Sequence, residues 1–191
     1  MTGNLRVINS EGVDIGPNLE TAAGRSGCPI RLLLACVLAE SGRTSPNPYA
    51  ERWGSETQAA KDAIRAGDWN TVRGILARAG ADVSFGYGQQ ILLYHYFGDK
   101  TSSLENAMAV RERVFTNPQE NLNDCAVRLV SNLNRVQAVD LQPVAGDRHL
   151  AALVVYNAGH YPEYPSPWWE SWAGNVESYR QCLALADKAI K

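Results

Sequence analysis

The sequence predicts a single all-α domain, mainly helical α+β at most. Apolar residues recur at helical spacing along most of the chain, the breaks between such segments are short, and no internal repeat or low-complexity tract intervenes. With 45% hydrophobic and 20% charged residues among 191, the composition is that of an ordinary globular protein with one core.

A short helix is expected around Leu19 to Gly24. Pro29 suits a first helical position, and the apolar run that follows ends at Glu40, where Gly42 supplies a stop. Arg43 to Pro48 reads as loop, because its prolines and small polar residues favour turns. Ser55 then opens an Ala-rich helix, Glu56 to Ala66, and Asp68 caps a second, Trp69 to Ala79, with Gly67 between them. Residues 81–88 carry glycines and read as irregular. Further helices are expected from Gln89 to Phe97, Ser103 to Phe115, Pro118 to Arg135, Leu150 to Asn157 and Ala173 to Ile190. Gly98-Asp99, Asn117-Pro118 and Pro143 to Asp147 are connectors, too short to separate domains.

Charge and cysteine usage exclude several classes. A net charge of -2 provides no basic patch, so nucleic acid and an anionic membrane surface are not expected partners. No apolar run approaches a membrane span, and Met1 to Arg6 has no apolar signal core. Cys28, Cys36, Cys125 and Cys182 are scattered, and Cys28 and Cys36 would lie about two turns apart on one helix, so mostly buried free thiols are expected. His95, His149 and His160 form no ligand cluster, and no metal or cofactor is expected.

Glu40 is the leading candidate for chemistry. It shares a helical stripe with Leu33, Cys36 and Val37, which aims its carboxyl at the apolar side, and it lies in the last turn before Gly42. Desolvation and the negative end of the helix both oppose ionisation, which is what a general acid needs. The alternative is a surface glutamate that snorkels out of a fraying helix end.

Three further segments join Glu40 in a resemblance. The stretch Leu19 to Gly42, ending Glu40-Ser41-Gly42, and the following Asn47-Pro48-Tyr49-Ala50 resemble the first motif of the lytic transglycosylase and goose-type lysozyme family. Gly86-Tyr87-Gly88-Gln89 resembles that family's Gly-Leu-Met-Gln motif, with Tyr87 and Gly88 in place of Leu and Met. Tyr156-Asn157-Ala158-Gly159 matches its third motif in every letter. The resemblance covers Leu19 to about His160. Residues 51–83 then read as an insertion between the first two motifs, its helical hairpin a possible cleft wall, while the aromatic, proline-rich stretch Tyr161 to Trp172 reads as a rigid loop.

What the resemblance implies is a lysozyme-like domain, expected to be monomeric, that cuts peptidoglycan glycan strands between N-acetylmuramic acid and N-acetylglucosamine. Glu40 would protonate the glycosidic oxygen. In the transglycosylase route the same residue then acts as base, and the muramic acid 6-hydroxyl closes a 1,6-anhydro ring. In the hydrolytic route a second carboxylate activates water, and Asp82 is the candidate, although an Asp there also suits a turn. Tyr156 would offer its hydroxyl to Glu40 or else pack in the core, and Ser41, Gly86, Tyr87, Gln89, Asn157 and His160 would face the sugar, with Gly86 and Gly88 letting the backbone approach it and Asn157 alternatively capping backbone. Tyr87 either stacks on a sugar or replaces the missing Leu, and Ser41 either holds substrate or finishes its helix turn. Without a signal core, the expected setting is a phage lysis enzyme released through a separate pore, or a domain carried in a virion. A wall-binding module without turnover and a structural tail component are the other classes kept open.

Overall fold

A computed structural model describes residues 5–48, 51–53, 66, 68, 70–71, 83–88, 90–91, 117–158 and 167–191. Helices dominate the described residues: α1 (Gly16–Ser26), α2 (Ile30–Ser41), α3 (Pro118–Arg135), α4 (Arg148–Ala158) and α5 (Pro167–Ala189). A 3-10 helix, Ala138–Val144, connects α3 to α4 and overlaps the start of the connector expected from Pro143 to Asp147.

The central helix is α2. Leu32 to Leu38 are all buried, so this helix is apolar around its whole circumference and lies inside the domain. It packs most extensively on α5 and also touches α1, α3 and α4. Pro29 stands just ahead of the first helical residue as the cap, with Leu32 and Leu33 donating to its carbonyl. α3 starts where expected because the Asn117 side chain accepts hydrogen bonds from the backbone N–H groups of Gln119 and Glu120, and Pro118 needs no donor at the first position. Asp147 performs the same service for α4 through His149 and Leu150.

The far end of the α2/α5 pair is tied by Arg31. Its guanidinium grips Asp187 with two bonds, of 2.7 and 3.1 Å, and lies 3.6 Å from Asp147. These carboxylates hold the Arg31 charge, the Asp187 bond contributing most. Because the pair is partly exposed, water screens it. Arg31→Ala is expected to lower stability by about 1 kcal/mol, read as a shift in the urea midpoint, with no change in any activity.

A three-stranded antiparallel sheet accompanies the helices: β1 (Glu51–Trp53), β2 (Val83–Phe85) and β3 (Gln90–Ile91), in that order. Glu51 pairs with Phe85 and Trp53 with Val83, so the two ends of the segment proposed as an insertion are themselves joined as neighbouring strands. Phe85 pairs with Gln90, so β2 and β3 form a hairpin, and 86–88 are turn residues between them. The helix expected from Gln89 is therefore corrected at its start, where Gln90 and Ile91 are strand. Short apolar runs fit either period, and here cross-strand pairing decides.

Most of the expected helical hairpin lies outside the described residues. At its centre, Asp68 accepts from the backbone N–H and the hydroxyl of Thr71, as a helix cap does, and residues 70–71 are helical. The helix expected from Ser103 to Phe115 also lies outside them. The stretch read as a rigid loop up to Trp172 is corrected in its last part, since α5 begins at Pro167. Proline at a helix start removes only an N–H that would have no partner.

One further segment goes unread in the sequence. Residues 5–15 fold back on themselves through a bridge between Ile8 and Asp14, and Leu5, Val7 and Ile15 join the core. Ser10 donates to the Pro46 carbonyl, which ties this turn to the loop after Glu40.

Candidate functional site

Glu40 ends α2 on its buried side and is 8% exposed. The stripe it shares with Leu33, Cys36 and Val37 is wholly inside, so the apolar spacing of the helix alone carries the carboxyl inward. One oxygen, Oε1, accepts two hydrogen bonds: from Tyr179 Oη at 3.1 Å and from Asn157 Nδ2 at 3.2 Å. Both donors are neutral, and they arrive from separate helices, α5 and α4. Two bonds on one oxygen orient the carboxyl plane.

The groups around it are protonated. Burial, then its hydrogen bond to Cys125, raises the Cys36 thiol well above its ordinary value, and the nearby Glu40 charge adds to the effect. Burial also lifts the Tyr156 phenol well above its usual range, with Cys125, Cys36 and Glu40 contributing. Cys182 is raised in the same way by burial, lowered by Arg43 and raised by Glu40. Among the described residues, all four cysteines are buried free thiols, as expected from their spacing, and Cys36 and Cys125 face each other with sulfurs 3.8 Å apart.

The hydroxyl that reaches Glu40 differs from the one expected. Tyr156 donates to the Gly88 carbonyl at 2.7 Å, and a phenol has one proton to give. Tyr156 thus holds the turn at Gly88, and the hydroxyl that bonds Glu40 is that of Tyr179. Nothing in a local motif marks Tyr179. The signal lies in the stripe Val176, Tyr179, Leu183 and Ala186, which puts a phenol on the buried face of the last helix, where it needs a partner.

The two glycines of the turn make room for the protein's own side chains. Gly86 has φ of +74°, and a Cβ there would collide with the Asn121 side chain. At Gly88 a Cβ would come within 2.6 Å of the Tyr156 hydroxyl and 2.8 Å of Cys125 Sγ. The close approach they permit is to α3 and α4. Asn121, buried on α3 and unmarked in the sequence, accepts from the Gly88 N–H at 3.2 Å and locks the turn.

Tyr87 is 1% exposed and its hydroxyl accepts from Asn9 Nδ2 at 3.1 Å. It is buried with the core cluster rather than standing out as an exposed ring. Ser41 donates to the Val37 carbonyl at 2.7 Å and finishes its helix turn. Asn157, assigned to the sugar, points its amide at Glu40 instead. Asp82, Gln89 and His160 lie outside the described residues.

No group of three His, Cys, Asp or Glu side chains among the described residues is placed to hold a metal ion. No helix among them is long and apolar enough to cross a membrane. Compared with family models, curated proteins and solved structures, the chain matches none.

The arrangement is chemically specific. A carboxyl withdrawn from water at a helix end, oriented by two neutral donors and flanked by neutral thiols and a neutral phenol, is able to give a proton to an acceptor brought against it and to take one back.

Proposed function

We propose that the chain cleaves the β-1,4-linked glycan of bacterial peptidoglycan between N-acetylmuramic acid and N-acetylglucosamine, with Glu40 as the acid and then the base. The observation that carries this reading is the Glu40 carboxyl itself, buried yet held by Tyr179 and Asn157. Burying an ionisable group costs stability unless it is used or compensated, and mere adhesion to a wall needs no such group. The resemblance of the Glu40, Gly86 and Tyr156 segments to the transglycosylase motifs supplies the substrate class.

In the proposed reaction the protonated Glu40 gives its proton to the glycosidic oxygen as the bond to the muramic acid C1 breaks. The resulting carboxylate takes the proton of the 6-hydroxyl, and that oxygen bonds to C1. The products are a chain with a free 4-hydroxyl and a 1,6-anhydro muramic end, with no water consumed. Tyr179 and Asn157 are positioning residues: they keep Oε1 in one place through both proton transfers.

Two measurements test this. Mass spectrometry of fragments released from purified walls is expected to find anhydro ends. Reducing ends would instead assign a hydrolase with a second carboxylate, and no release at all would leave a wall-binding or structural role. Tyr179→Phe removes the phenolic donor while keeping the ring, so kcat is expected to fall about tenfold with KM nearly unchanged. A Tyr179→Phe variant with wild-type kcat would remove Tyr179 from the mechanism.

A further inference from the structure

We propose that Arg43 recognises a carboxylate on the peptide stems of the wall substrate, at the edge of the Glu40 site. The proposal rests on the glycan-cleaving reading above and names a specificity contact for it.

Arg43 follows the α2 stop by one residue and is exposed. Its guanidinium is fixed on the surface of α5: one terminal nitrogen donates to Gln181 Oε1 at 2.9 Å and the other to Ser178 Oγ at 2.7 Å. Ser178 precedes Tyr179, the residue whose hydroxyl holds Glu40. Arg43 and Glu40 also both act on the Cys182 thiol, the first by charge and a hydrogen bond, the second by charge. One turn of α5 thus bonds both the exposed cation, through Ser178 and Gln181, and the buried acid, through Tyr179.

The contrast with Arg31 gives this placement its meaning. Both arginines cross from α2, or the residues just after it, to α5. Arg31 meets carboxylates, Asp187 and Asp147, and its charge is spent within the protein. Arg43 is tied by two neutral acceptors, and the acid closest in sequence to its partners, Glu177, accepts from Arg180 and Gln181. Among the described residues no carboxylate forms an ion pair with Arg43, so its position is set while its charge is not spent on them. A guanidinium carries more N–H donors than these contacts use, in a fork that matches a carboxylate. Losing no rotamer freedom on binding, a pinned arginine is a better anion receptor than a free one. The peptide stems of a wall glycan carry carboxylates close to the muramic acid unit that the Glu40 reading puts at the site.

The test uses the full chain and solubilised glycan strands with their stems attached, either as free acids or with the carboxyls converted to amides. On the free acid substrate, Arg43→Gln is expected to raise KM about three- to tenfold with kcat unchanged, and Arg43→Lys to recover part of the loss. On the amidated substrate the variant and the wild type should have the same KM. Wild type alone provides a control that needs no variant, since its own KM should rise by a similar factor on amidation. Equal KM values for wild type and Arg43→Gln on the free acid overturn the proposal, as does a wild type indifferent to amidation. A fall in urea midpoint without a change in KM makes Arg43 a structural tie. Cleavage of neither substrate by wild type overturns the glycan-cleaving reading and this proposal with it, whereas cleavage with unaltered KM overturns only this one.

Discussion

Glu40→Gln is expected to reduce the clearing of purified cell walls by about two to four orders of magnitude, the range over which positioned acid and base catalysis contributes. The substitution keeps the shape of the side chain, and the amide oxygen still accepts from Tyr179 and Asn157, so the fold is expected to persist. Stability should stay level, because the amide is as uncharged as the protonated carboxyl it replaces and keeps the same acceptor oxygen. The pair of readouts matters. Turbidity clearing reports the chemistry, and the urea midpoint reports the fold. A variant that clears walls at the wild-type rate would falsify the assignment of the acid; one that has lost its unfolding midpoint would make Glu40 a structural residue.

A second large effect is expected from alkali. Burial pushes the Cys28 thiol from 9.0 up to about 12, and the Cys36, Cys182 and Tyr156 groups are raised as well. A group whose pKa is higher in the folded than in the unfolded chain stabilises the fold fully below its unfolded value. That contribution is lost as pH rises toward the folded value, because the unfolded chain ionises first. For Cys28 the window runs from about pH 9 to about pH 12. At about pH 11 this thiol alone removes roughly 2 to 3 kcal/mol, a large part of an ordinary domain's stability. Urea unfolding at about pH 8 and about pH 11 should show the fall, and Cys28→Ala should flatten it by the Cys28 share while lowering stability at the milder pH. Stability that holds constant across this range would mean the thiols are reached by water.

Much of the fold is legible because it depends on near neighbours. The start of α3 follows from Asn117 and Pro118, its end from the last apolar turn before Val136, and α2 from a run apolar on every side. Glu40 is legible for the same reason, since its place on the inner stripe is set by spacing along one helix. The β2/β3 hairpin is not, because Gln90 and Ile91 form a strand only by pairing with residues 84–85. Nor is the role of Gly88: a glycine there reads as room for a sugar until the Tyr156 hydroxyl and Cys125 are seen to occupy that room.

The sequence by itself determined that an acid is carried to the inner face of a central helix, because helical periodicity places every side chain relative to its own axis. Only the tertiary structure decided which groups meet it. Tyr156 and Tyr179 sit on different helices, and both are buried aromatics that need a partner. The packing of α4 and α5 around α2 sends the first to the Gly88 carbonyl and the second to Glu40. Hydrogen bonds form over about 3 Å, whereas helix axes are separated by about 8 to 10 Å, so the depth and rotation of each helix select the partner.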